Sequence, residues 1–150
     1  MEIWGAGAFE NETALKWLKT LTGENSVGPV VEALEAIVAP ERGVDKTKGC
    51  EALAAAELVA SLNPDETTVL PDEVQAWLKR QKLKPTGQLV RLARQAVGRV
   101  QGHDSELRTS WLGAERGGRE WSRTVQELVD RLDYEAADGS LQSSRWWRLW

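Results

Sequence analysis

The residues able to do chemistry are few, and their spacing limits what each can do. His103-Asp104-Ser105 holds the base, orienter and nucleophile of a hydrolase in consecutive positions. A relay needs those groups to converge from separate parts of a fold, which neighbours within one turn cannot do with each other. Any triad needs partners from elsewhere, and His103, in a Gly-His-Asp turn between helices, reads as an exposed histidine. Glu32 and Glu35 share a helix face, and Glu57 lies in an alanine-rich stretch, so an acid–base or metal site of carboxylates is conceivable. The di-metal bundle pattern requires Glu-x-x-His on two helices, and this chain has one histidine. Solvated faces or cap contacts are therefore the expected roles of these glutamates, and no cofactor or metal is expected. Gly5-x-Gly7 before a helix start has the form of a phosphate cradle, but Glu10 and Glu12 flank the anion's place and would repel it. The glycines more simply let the chain turn tightly while Trp4 and Phe9 are buried.

The remaining counts exclude further classes. At 150 residues, 41% hydrophobic and 28% charged, the chain has the size and composition of one globular domain with a core that needs no staples. Cys50 stands alone, so no internal disulfide forms, and the single histidine excludes multi-histidine metal sites. The N-terminus carries Glu2 and no basic n-region, and no apolar run approaches about 18 residues, so neither a signal peptide nor a spanning helix is expected, and the cytoplasm is the expected location.

Charge is unevenly spread. Residues 1–73 carry 5 Lys and Arg against 14 Asp and Glu; residues 79–103 carry 7 bases and no acid; residues 104–150 carry 7 against 9. Such segments either neutralise one another across the folded surface or meet a charged partner. Arg91, Arg94 and Arg99 can line part of one helix and contact phosphates. The overall pI near 5.2 and the lack of a basic recognition motif argue against nucleic acid as the partner.

These residues are positioned by helices throughout. Asn11 caps a first helix running to about Thr22, where Gly23 follows, with Ala14, Trp17, Leu18 and Leu21 on one face. Pro29 starts a second, carrying Val30, Val31, Leu34, Ile37 and Val38. After a polar stretch from Glu41 to Thr47, an alanine-rich third helix spans Lys48 to Leu62 and is broken by Asn63-Pro64-Asp65. Pro71 opens a fourth with Val74, Trp77 and Leu78 inward, Asp72 and Glu73 at its positive end and Lys79, Arg80 and Lys82 at the other. Thr86 caps a fifth with Leu89, Leu92, Ala93, Ala96, Val97 and Val100. Ser105 caps a short sixth with Leu107, Trp111 and Leu112. Beyond Gly117-Gly118, a seventh carries Trp121, Val125, Leu128, Val129 and Leu132. No stretch alternates with a period of two, so no strand is expected.

Eight tryptophans divide by position. Trp17, Trp77, Trp111 and Trp121 fall on apolar helix faces and are expected in the core. Trp146, Trp147 and Trp150, interleaved with Arg145 and Arg148 after a polar stretch, can fold back into a groove of their own domain, dock on a partner or second copy, or touch a membrane interface.

The opening run from Trp4 through Gly5, Gly7, Phe9, Asn11 and Ala14 to Trp17 resembles the Trp-Gly-x-Gly-x-Phe-x-Asn-Asp-x-Ala-x-x-Trp pattern of a bacterial family, domain of unknown function 4259. The resemblance continues through residues 51–60 and 70–78 and covers about residues 1–132. Glu12 stands where an Asp is usual, and Lys16 where an acid is common. The resemblance implies a small bacterial helical protein and carries no reaction or catalytic residue with it. The expected architecture is an all-α bundle of six or seven short helices over residues 1–132, with an ordered Gly/Trp N-terminal loop and a polar linker and Trp/Arg tail over 133–150.

The expected function is binding without catalysis: an immunity or antitoxin-like protein whose acidic first half blocks the cationic cleft of a toxin. Glu32, Glu35, Asp65, Glu66, Asp72 and Glu73 are its candidate acids, with Trp146, Trp147 and Trp150 as further contact residues. The alternatives are a small enzyme with a His103 or Glu57 site, or an oligomeric or membrane-peripheral scaffold using the tail.

Overall fold

The computed structural model describes residues 5–23, 27–38, 43–63, 70–81, 84–114 and 116–134. They form seven helices: α1 (Glu12–Thr22), α2 (Gly28–Val38), α3 (Lys46–Ala60), α4 (Asp72–Gln81), α5 (Gly87–Val100), α6 (Glu106–Leu112) and α7 (Gly118–Arg131). Among the described residues no strand forms; Val44 and Ser105 make one isolated parallel bridge. The fold is an all-α bundle, and no helix among the described residues is long and apolar enough to cross a membrane.

Side-chain caps start the helices where short polar residues precede apolar periodicity. Asn11 Oδ1 accepts from the Ala14 N–H at 2.8 Å, Thr86 Oγ1 from Leu89 at 3.2 Å and Ser105 Oγ from Arg108 at 3.2 Å. Each satisfies a backbone donor that the helix itself leaves unpaired. The third helix departs from the sequence expectation at both ends. Asp45 caps it, accepting from Lys48 N–H at 3.0 Å, so it begins at Lys46 and closes at Ala60. The acid cap overrides the polar composition that had suggested a loop through Thr47.

α3 is the central element, packed on α2 and α5 and also against α1, α6 and α7. Ala52, Ala54, Ala55, Ala56 and Ala60 are fully buried, which a helix achieves only when neighbours close on it from several sides. Small side chains permit that approach, and alanine at the same time favours the helix.

Three contacts set the helix directions. The Arg99 Nε–H donates to the Ile37 carbonyl at 3.2 Å, so the C-terminal ends of α2 and α5 meet. The Val44–Ser105 bridge joins the start of α3 to the residues following α5, so α3 runs antiparallel to α5. Gln101 bonds to Gln126 at 3.3 Å and Arg94 pairs with Asp133 at 4.0 Å, so α7 also runs back along α5.

The tryptophans expected in the core separate into two groups. Trp77 and Trp121 are buried, whereas Trp17 and Trp111 are half-buried and pack against the core from its edge. Trp111 stacks on Trp121 with centroids 6.4 Å apart and planes 11° from parallel. Leu112, expected on the apolar face of α6, is 47% exposed. It lies five residues after buried Leu107, roughly 140° around the helix, whereas Trp111 lies only about 40° away.

Candidate functional site

The acids divide into those engaged within the fold and those left outside it. Glu57 on α3 is buried, and the Arg131 guanidinium of α7 donates to both of its carboxylate oxygens, one of these bonds being 3.3 Å. This forked pair braces two helices from positions 74 apart in sequence. Asp104 accepts from Arg99 at 3.0 Å and from the Gly43 N–H at 3.1 Å. The hydrogen bond from Arg99, aided by that from Gly43, holds the Asp104 carboxyl below its ordinary value. Ser105 is buried as the α6 cap and His103 is exposed. The three adjacent letters of a hydrolase triad therefore build a turn and a helix start.

The N-terminal loop fills its own cradle. Glu10 Oε1 accepts from the Gly7 N–H at 3.0 Å, and the Glu10 N–H donates to the Gly7 carbonyl at 3.0 Å. A Cβ at Gly5 or Gly7 would collide with the Glu10 carboxylate. The acid expected to repel a phosphate instead occupies the place a phosphate would take. Phe9 packs against the core from a half-buried position; Trp4 lies outside the described residues.

The basic segment does not present its three arginines together. Arg99 is bound to Ile37 and Asp104, Arg94 pairs with Asp133, and Arg91 is exposed. The acids paired with Arg94 and Arg99 come from the last segment of the chain. Cys50 is buried in α3, and burial pushes its thiol up to about 11. Among the described residues no group of three or more His, Cys, Asp or Glu is placed to hold a metal ion.

The second class of acids lies on α2 and α4, and one acid of each helix lines a cleft. Glu32 and Glu35 on α2, and Asp72 and Glu73 at the start of α4, are exposed and form no ion pair among the described residues. A cleft of about 430 Å³ opens between α2, the end of α4 and the start of α5. Val27, Val31, Leu89 and Leu92 wall it, with Glu35 and Lys84 as its charged lining residues. A smaller cleft of about 250 Å³ lies between α1 and α4, where Leu15 and Leu18 meet Lys19 and Glu73. Glu73 lines the smaller cleft and Gln81 the larger, a separation of about 12 Å along α4. Of the exposed acids, Glu35 thus reaches the larger cleft and Glu73 the smaller.

Asp65, Glu66, Trp146, Trp147 and Trp150 lie outside the described residues, as does the tail from residue 135. Sequence periodicity missed the larger cleft because it assigned Val31 and Leu92 to the core, whereas both are half-buried and line the opening. The signal available was a valine pair at Val30 and Val31, which widens the apolar stripe of α2 beyond one neighbour's needs.

The model of the family described as domain of unknown function (DUF4259) matches residues 2–124. The chain belongs to this family. The DUF4259 match takes in α1 to α6 and the first half of α7, and therefore both clefts and the exposed acids of α2 and α4. Arg131, Asp133 and Tyr134, which tie the end of α7 to the bundle, follow it. No curated protein and no solved structure matches the chain.

Proposed function

We propose that this DUF4259 protein is a cytoplasmic, non-catalytic binding module of the immunity or antitoxin kind, which seats on a cationic bacterial toxin domain and covers its active site. The observation that carries this reading is the division of the acids. Glu10, Glu57 and Asp104 are used inside the fold, whereas Glu32, Glu35, Asp72 and Glu73 face outward with no ion pair among the described residues. Exposed carboxylates steer a cationic partner and suppress wrong ones. The apolar walls beside them supply what charge alone lacks, a place for an anchoring side chain. Asp65 and Glu66 add to the same negative half of the sequence. Of the groups weighed for a reaction, Glu57 is committed to Arg131 and Ser105 to its helix.

The test is affinity capture with the tagged full chain at low and high salt, followed by measured binding of the retained protein to a variant carrying Glu32→Lys, Glu35→Lys, Asp72→Lys and Glu73→Lys. A basic partner that binds stoichiometrically, weakens with salt and loses at least about tenfold affinity to the variant supports the reading. A partner bound equally well by the charge-reversed chain overturns it.

A further inference from the structure

We propose that the cleft between α2, α4 and α5 binds a short apolar peptide with free ends, extended and about three residues long, its ammonium at Glu35 and its carboxylate at Lys84.

The two charged lining residues stand at opposite ends of the cleft. α2 and α5 run side by side in the same direction: the Arg99 Nε–H near the end of α5 reaches the Ile37 carbonyl near the end of α2, while Val31 and Leu89, in their first halves, wall the cleft together. Val27 marks one end of the α2 wall and Glu35 the other, about 12 Å apart at the rise of a helix. Lys84 and Thr86 precede α5 and so lie at the Val27 end. In keeping with that separation, Glu35 and Lys84 form no ion pair with each other or with another described residue.

This spacing selects the length of the ligand. A single amino acid carries its ammonium and carboxylate on one carbon and cannot meet both residues. An extended chain advances about 3.3 Å per residue, so three residues span about 10 Å and the Glu35 and Lys84 side chains close the remainder.

The rest of the lining suits a peptide between those ends. Alternate side chains of an extended chain point to one side, so the first and third meet the valines and leucines while the second faces the opening. Gln81 and Gln88, also in the lining, carry amides that both donate and accept, as peptide groups do. Thr86 Oγ1 accepts from the Leu89 N–H and keeps its hydroxyl proton for a peptide carbonyl. α5 has no acid in its first turn, so the positive end of that helix adds to Lys84 at the carboxylate. Glu35 stands in the last turn of α2, which holds no base to compete for the ammonium. The volume, about 430 Å³, is within the range of small-molecule sites. The site does not rest on the toxin reading: of the outward acids it uses Glu35 alone, and its readout needs no protein partner.

Titrating the full chain with the tripeptide Leu-Ala-Leu at about pH 7, where both ends of the peptide are charged, tests the assignment by methyl NMR. The methyls of Val31, Leu89 and Leu92 should shift saturably while those of Val125 and Leu128 stay in place. Absence of saturable shifts, or shifts outside the cleft, overturns the proposal. N-acetylation and C-amidation of the peptide should each weaken binding about threefold, the strength of an exposed ion pair. The acetylation penalty should vanish in Glu35→Gln and the amidation penalty in Lys84→Gln, both at exposed positions. Penalties that persist in those variants overturn the assigned ends. The dipeptide Leu-Leu reaches only one charge and should bind about threefold more weakly than Leu-Ala-Leu; equal affinity overturns the assigned length.

Discussion

Arg131 and Glu57 illustrate how a charged pair at the edge of a core differs from one on its surface. The Glu57 side chain is 10% exposed and that of Arg131 29%, so removing the guanidinium leaves a carboxylate with little water to replace it. Arg131→Ala should lower stability by about 2–4 kcal/mol, the range for a broken buried pair reduced for the partly wet arginine. Chemical denaturation measures it, and a loss no larger than that of an exposed arginine such as Arg91→Ala would contradict the bracing role. Asp104 makes a pH-dependent contribution of known sign. Its carboxyl titrates lower in the folded protein than in the unfolded chain, so its stabilisation is present above the unfolded value, near 3.8, and is lost as pH falls through the folded value. The melting-temperature gap between the native chain and Asp104→Asn should therefore be constant at neutral pH and close on acidification. A gap independent of pH would show that Arg99 and Gly43 do not hold the charged form.

The two glycines at α5 and before α7 make opposite predictions at the scale of the helix. Gly98 lies within α5, exposed, with nothing within 4 Å of where a Cβ would stand. Gly98→Ala removes backbone freedom from the unfolded chain without a clash and should stabilise by about 0.5–1 kcal/mol. Gly117 has φ +91° and its Cβ would enter the Trp111 ring. Gly117→Ala should cost at least about 1–2 kcal/mol for the left-handed backbone alone and disturb the Trp111–Trp121 stack. Thermal melts with near-ultraviolet circular dichroism separate the two: a destabilised Gly98→Ala would refute the first assignment, and a Gly117→Ala as stable as the native chain would refute the second. α3 shows why composition underdetermines an element's place. Alanine favours a helix wherever it stands, but the burial of Ala52 through Ala60 follows from α2 and α5 closing on it.

Across the whole molecule, the charge segments do not simply cancel. Arg94 and Arg99 meet Asp133 and Asp104 from the last segment, while the exposed acids of α2 and α4 remain outward. Raising salt should therefore change folding stability by less than about 1 kcal/mol, since exposed pairs contribute little, yet weaken association with a basic partner about tenfold or more. Equal sensitivity of the two would place the charge effect in folding and not in recognition. Helix existence, caps and inward faces were legible from sequence because they depend on residues three or four positions apart. Asn11, Thr86 and Ser105 cap where their local patterns indicate, and Val125 and Leu128 face inward on the period of α7. The larger cleft was not legible, because Val31 and Leu92 differ from core residues only in what faces them across the bundle. Glu57 and Glu35 are likewise both helix glutamates, and Arg131, 74 residues away, makes one structural while the other lines an opening. Local periodicity and capping thus determined the elements and their apolar sides; which side chains became brace, turn or cleft wall was decided by contacts between distant segments, which spacing along the chain does not encode.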